Sequence, residues 1–350
     1  MVTSEKIAQL CGVTRGTVDR ALNNRSGISP KTKENILRVS KELGYTPNFL
    51  ARSLSIGVTY TIGVVLLDLH NQFFCHLLNN IEAEAKKHGY YIQIALSHKN
   101  MKDENLALEH FTNRKVDGII LYSVQHNSET FLKIQKAGIP MISIINRIEE
   151  KCGFIGIDNR EAIRKLVKHL SDAGHKKIGY ISHPLDLTGK VNQYALIERY
   201  QGFIEAMAEL NIPIDENNVL IEVSLKEGLN KIFENSITDR SSLPTAFVCI
   251  DDQYAIETIR FLKKSSIKVP EDISIVGFDN IQAANLVEPS LTTIEYPIEY
   301  IAEKAVNYIV QAAEKRKFRD KTRPKDVDED ITEIILPAKM IIRESVKKLY

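Results

Sequence analysis

Two arginines and two aspartates carry the chemistry most directly visible in this 350-residue sequence. Arg15 follows Gly12-Val13-Thr14, and Arg20 falls one turn after Gly16 on the helix that Thr14 would open. A guanidinium can donate a bidentate pair of hydrogen bonds to two acceptors on one planar group, whereas Gly16 has no side chain to donate anything. Asp251 and Asp279 each end a β-branched run, and strand carboxyl ends are where ligands sit in open α/β sheets. Two such carboxylates could also work as acid and base in glycoside hydrolysis. No nucleophile elbow, P-loop or GxGxxG follows a strand, which weighs against an enzyme. His169 and His175 are off one helical face, so no metal site is expected. Cysteines 11, 75, 152 and 249 lack paired spacing and read as free thiols in a reducing compartment. No cofactor is expected.

The elements that must position these groups fall into two regimes. Residues 1–45 read as three short helices. Thr3 or Ser4 caps the first, which turns Ile7, Ala8 and Leu10 inward before Gly12 ends it. Thr14 caps the second, with Val18, Ala21 and Leu22 inward. Pro30 opens the third, which carries Ile36, Leu37, Val39 and Leu43 and stops at Gly44. Ala8, Gly12 and Val18 have helix-turn-helix spacing, although an ordinary three-helix bundle can show it too.

From Thr61 the period changes. The runs Ile62–Leu67, Tyr91–Leu96, Gly118–Tyr122, Met141–Ile145, Ile178–Ser182, Val219–Val223, Ala246–Ile250 and Ile273–Gly277 alternate with amphipathic helices. That alternation predicts parallel sheets covered on both faces, and so many units predict two Rossmann-like lobes with a cleft between them. The charged stretch Glu314–Asp330 reads as a solvated loop before the last strand.

The net charge of +1 conceals an asymmetry, because residues 1–57 hold nine Lys/Arg against four Asp/Glu. A basic module on a near-neutral body is the electrostatic pattern of nucleic-acid binding. Met1 leads straight into an amphipathic helix, and stretches such as Val64–Leu67 are too short to span a bilayer. A cytoplasmic protein with no membrane partner is therefore expected.

The segment Gly12–Asn23 closely resembles the recognition-helix signature of the lactose-repressor (LacI/GalR) family. So do Leu43–Asn48 followed by Ala51-Arg52-Ser53-Leu54, then Asn71-Gln72-Phe73-Phe74, Val116–Ile120, Gly174–Ile178, Val276–Asp279 and Leu291–Ile294, in order along nearly the whole chain. The resemblance implies α plus α/β architecture. It places a helix-turn-helix headpiece at 1–47, a hinge helix or linker at 48–58, and a periplasmic-binding-protein-like effector and dimerisation core at 59–350. The core would hold lobe 1 at about 60–157 and 296–328, and lobe 2 at about 158–294 and 329–345. The implied function is a ligand-controlled transcriptional repressor that binds a pseudo-palindromic operator in double-stranded DNA as a homodimer. A solute-binding protein or sugar-acting enzyme would share the core but lack the headpiece.

The same resemblance implies DNA contacts from Thr14, Arg15, Gly16, Thr17, Arg20 and Asn23, and from Asn48, Ala51, Arg52 and Leu54 in the hinge. Leu54 holds the place of a minor-groove wedge. Asp19, where many relatives have Ser, is expected to orient Arg20 or Arg15. For the effector, a sugar or sugar derivative, it implies Phe73, Phe74, Asn146, Arg147, Arg199, Asp251, Asp279 and Tyr296, with Ser123 and Asp158 as weaker candidates. An arginine, carboxylates and aromatic faces together suit a polyol. Asn146 stands where relatives often have Asp, and Asp251 where they often have Asn. His175 is expected in a surface turn.

Overall fold

The computed structural model describes residues 2–22, 24–45, 57–149, 152–222, 224–235, 243–318 and 333–349. The chain divides into two compact units, Met1–Thr59 and Tyr60–Tyr350. In the first unit, helices α1 (Ser4–Cys11), α2 (Arg15–Leu22) and α3 (Pro30–Glu42) surround Ile7, Ala8, Val18, Ala21 and Ile36. Thr3 caps α1 by accepting the Lys6 N–H, and Gly12 closes it with φ +63°, a left-handed geometry that favours glycine. Ser29 caps α3 with Pro30 in its first turn. Leu10 and Leu37, expected inward, are 55% and 43% exposed. An eight-residue helix has room for a narrow apolar stripe, and Ile7, Ala8 and the half-buried Cys11 fill it.

The second unit holds two six-stranded sheets. The first has the order β11-β5-β4-β3-β1-β2, built from β1 (Thr61–Leu66), β2 (Tyr91–Leu96), β3 (Gly118–Leu121), β4 (Met141–Ile144), β5 (Gly153–Ile157) and β11 (Glu333–Leu336). Period-two alternation splits β1. Ile62, Val64 and Leu66 face α4 (Gln72–Lys87) and α12 (Ile298–Phe318), while Val65 faces α5 (Met101–Asn113) and α6 (Glu129–Lys136).

The second sheet has the order β12-β10-β9-β8-β6-β7. Its strands are β6 (Ile178–Ile181), β7 (Val219–Leu220), β8 (Ala246–Cys249), β9 (Ser274–Asp279), β10 (Thr292–Glu295) and β12 (Lys339–Ile341). It is covered by α7 (Asn159–Asp172), α8 (Tyr194–Glu209), α9 (Leu225–Asn235), α10 (Asp252–Lys264) and the short α11 (Gln282–Leu286). A Cβ at Gly202 would lie 2.7 Å from Arg160 Cα, so glycine lets α8 cross α7 at close range. Every strand pairing is parallel except β10 with β12. The chain passes between the sheets after β5, β10 and β11.

Several expectations change. Residues 329–345 were assigned to the second lobe, but β11 pairs with β5 and extends the first sheet, because its Ile334 and Leu336 pack on the first lobe's exposed edge. Only β12 joins the second. The charged tract from Glu314 begins as helix, since α12 runs to Phe318. His175 is buried, sharing its ring nitrogens between Thr245 Oγ1 at 2.9 Å and the Lys347 carbonyl at 3.0 Å. Among the described residues, no helix is long and apolar enough to cross a membrane.

Candidate functional site

Arg199, on the inner face of α8, is the centre of the core's polar chemistry. Its side chain is 5% exposed. Nε donates to Asn159 Oδ1 at 3.3 Å and Nη1 to the Ile250 carbonyl at 2.5 Å. Nη2 donates to Tyr296 Oη at 3.0 Å and to Asp279 Oδ1 at 3.4 Å. The guanidinium also lies 3.7 Å over the Phe278 ring. Residues from α7, α8, β8, β9 and the β10–α12 crossover thus converge on one cation.

Asp279 ends β9 with φ +107°, and Asn280 follows at φ +51°. Non-glycine residues held there are strained, a frequent feature of ligand sites. Burial raises the Asp279 carboxyl to about 7, against the pull of Arg199 and with a further push from Asp251. Burial prevails because Arg199 divides its hydrogen bonds among four partners and reaches Asp279 only at the long end of its range. Asp252 is likewise raised well above the ordinary carboxylate range, first by burial and then by Asp279. It accepts Thr293 Oγ1 at 2.5 Å and the Ile281 N–H at 2.9 Å. Asp251 caps α10 through the Tyr254 N–H and meets His183 Nε2 at 3.0 Å.

A run of rings crosses from one lobe to the other. Tyr122 meets Phe74 at 5.0 Å, Phe74 meets Phe73 at 5.4 Å, Phe73 meets Tyr296 at 5.0 Å, and Tyr296 meets Phe278 at 5.5 Å. Phe73 and Phe74 hold this place because Asn71 caps α4, accepting the Phe73 N–H at 2.9 Å.

Asn146 follows Ile145, a β-branched residue at φ +66°. Its amide donates to the carbonyls of Ser123 and Asn192, both at 3.0 Å, and accepts the Ala195 N–H at 3.1 Å. Asn192 answers through its own amide, to Gln125 O at 3.0 Å and Arg147 O at 2.8 Å. This seam joins the lobes directly. Ser123 Oγ is bound to the buried Glu104 at 2.8 Å.

The sequence candidates therefore divide. Phe73, Arg199, Asp279 and Tyr296 come together, with Asp251 and Phe74 one contact further out. Arg147 turns to other partners: Glu333, with the guanidinium 4.7 Å over Phe154. Asp158 is the cap of α7, accepting the Glu161 N–H at 2.8 Å. Asn159, Tyr122, Phe278, Asn192 and His183 were missed. Phe278 lies within Val276–Asp279, Tyr122 directly follows β3, and Asn159 opens the helix just beyond β5, so closeness to strand carboxyl ends is the signal that could have found them.

In the headpiece, Thr14 Oγ1 accepts the Thr17 N–H at 3.2 Å and lies 2.9 Å from Thr17 Oγ1, fixing the start of α2. Arg15, Gly16 and Arg20 are exposed. Asp19, expected beside Arg20 or Arg15, is in an ion pair with Arg25 at 3.2 Å, six residues on. Asn23, Asn48, Ala51, Arg52 and Leu54 lie outside the described residues.

Residues 5–48 match the model of bacterial regulatory proteins of the lacI family, and residues 167–346 that of the periplasmic binding protein-like domain. The NTD biosynthesis operon regulator NtdR of Bacillus subtilis (strain 168) is 30% identical over 346 residues, covering 99% of this chain and 100% of its own. A structure of the transcriptional regulator CelR in complex with cellobiose is 25% identical, with TM-score 0.68 over 99% of this chain and 100% of the other. The lac repressor dimer bound to operator and the anti-inducer ONPF shares the fold, with TM-score 0.81 at 21% identity over 99% of both chains. Headpiece, two-lobed core and full-length relatives agree: the chain belongs to the LacI family of transcriptional regulators.

Proposed function

We propose that this regulator is a repressor that binds a pseudo-palindromic operator as a homodimer and changes its operator affinity when a sugar or sugar derivative occupies the cleft around Arg199. The observation that carries this reading is the convergence on Arg199, where groups from the second sheet, the start of α7 and a crossover meet a ring system spanning the lobes. Hydroxyls need paired donors and acceptors, and sugar C–H faces need rings. The cellobiose held by the CelR relative supports a sugar. Asp251 and Asp279 are engaged by a helix cap with His183 and by Arg199 respectively, which suits binding better than acid–base hydrolysis.

On DNA, Arg15 is the base-reading side chain, Gly16 leaves its position open, and Arg20 lies on the same helix. Thr14 and Thr17 hold the helix start, Asn23 follows its end, and Asn48, Ala51, Arg52 and the Leu54 wedge act from the hinge. The headpiece is 1–47, the hinge 48–58, and the protein works in the cytoplasm without a cofactor or metal. Selection of random duplexes on the full chain tests the reading. Recovery of a two-fold symmetric site, bound with an affinity that a sugar alters, supports it. Recovery of no preferred sequence overturns it.

A further inference from the structure

The floor of the Arg199 cluster is short of positive charge. Three carboxylates, Asp251, Asp252 and Asp279, lie there, each no more than 6% exposed. Arg199 is the one arginine or lysine among the described residues that bonds any of them. Its hydrogen bonds already go to Asn159, Ile250, Tyr296 and Asp279. The charges acting most strongly on Asp252 are the other two aspartates. Asn146, from the first lobe, adds no charge and spends its amide on the seam. Thr293 and a backbone N–H satisfy Asp252, so the excess falls on Asp251 and Asp279, with His183 beside Asp251.

A second observation is independent of charge. Tyr180 Oη and Ser182 Oγ are buried and have no hydrogen-bond partner among the described residues. The Tyr180 hydroxyl lies within the fields of both Arg199 and Asp251. Buried hydroxyls left unpaired cost free energy unless a ligand completes them. The unpaired Tyr180 hydroxyl therefore stands near carboxylates that share a single arginine.

A phosphate or carboxylate ligand would meet repulsion from Asp251 and Asp279, with Arg199 already committed. A neutral polyol would pair with the hydroxyls and leave the charge uncompensated. An ammonium group supplies three donors and a second positive charge for carboxylates that now share Arg199 alone. We propose that the effector carries a protonated amine, as in an amino sugar or amino polyol, and that Asp251 and Asp279 receive it. This rests on the reading of the cleft as the effector site.

The test is calorimetric titration of the full chain with matched sets: D-glucose, D-glucosamine, N-acetyl-D-glucosamine and D-glucose 6-phosphate, and the corresponding galactose series. The amine is expected to bind about tenfold or more tighter than its neutral parent, as a charge-assisted hydrogen bond would give. N-acetylation should erase that advantage, and the phosphate should bind weakest. Asp251→Asn and Asp279→Asn keep the shape of the site, and each should narrow the preference for the amine, with thermal melts verifying the fold. Neutral or phosphorylated sugars binding as tightly as amines overturn the charge assignment and leave the cleft reading standing. Binding that neither variant alters, or no binding in either series, overturns both.

Discussion

Asn146 of the first lobe and Asn192 of the second are each the other's anchor. The Asn146 amide donates to the Asn192 carbonyl at 3.0 Å, and the Asn192 amide donates to the carbonyl of Arg147, the next residue along, at 2.8 Å. The Asn192 N–H adds a third bond, to Val124 O at 3.0 Å. A carboxamide serves here because it donates twice and accepts at once, which a carboxylate cannot do.

Asn146→Asp therefore places a carboxylate opposite two carbonyls. The expected loss is about 1–3 kcal/mol from the thermal stability of the lobe-closed core. Differential scanning calorimetry of the full chain reads it directly, and an unchanged melt would mean that the seam contributes nothing to closure.

Arg15→Ala should relax base preference at one operator position, costing about 1–3 kcal/mol there and little at the others. Binding assays on single-base variants of the selected operator measure this. Uniform weakening across all variants would make Arg15 a phosphate contact instead.

Gly16 has open space, since a Cβ there meets only Thr14 Oγ1 at 3.8 Å. Gly16→Ser should fold normally and shift preference at the adjacent base. A melt unchanged from the parent, together with an altered selection profile, is the expected pair of results.

Asp279 also gives a pH signature. Burial holds its folded-state value near 7, above the ordinary 3.8, so the folded chain binds the proton more tightly than the unfolded chain does. Its contribution to stability is complete below pH 4 and disappears as pH rises through about 7, with a limiting slope of about 1.4 kcal/mol per unit. His169 and His175, lowered by burial, act in the opposite sense below their ordinary 6.5. The informative quantity is thus the difference between parent and Asp279→Asn. The variant should gain stability relative to the parent as pH rises from about 4 to about 7, and the difference should level off above that, as thermal melts at each pH would show.

Regular periodicity was legible in the sequence, and convergence was not. The alternation in Ile62–Leu66 and the Gly12 turn are local patterns, and both stand where expected. Strands β5 and β10 escaped because glycine, threonine and charge interrupt their apolar runs, and the single last strand expected after Asp330 is two short strands, β11 and β12, one in each sheet. Within the site, Arg199, Asp279 and Tyr296 came from motif resemblance. Asn159 did not, since its role exists only once Tyr296, 137 residues later, reaches it. Arg147 was expected at the effector by the same resemblance, whereas Glu333 on β11 draws it away.

The central claim is that a ligand in the Arg199 cleft sets operator affinity, and Asp279→Ala tests it most directly. Operator titrations of parent and variant are compared with and without the tightest-binding sugar of the calorimetric series. In the parent, the ligand should shift operator affinity by about 1–3 kcal/mol, the usual size of such coupling. In the variant, affinity without ligand should stay close to that of the parent, because no DNA contact is removed, and the ligand-induced shift should vanish. A full ligand response in Asp279→Ala would contradict the account and place the effector outside this cleft.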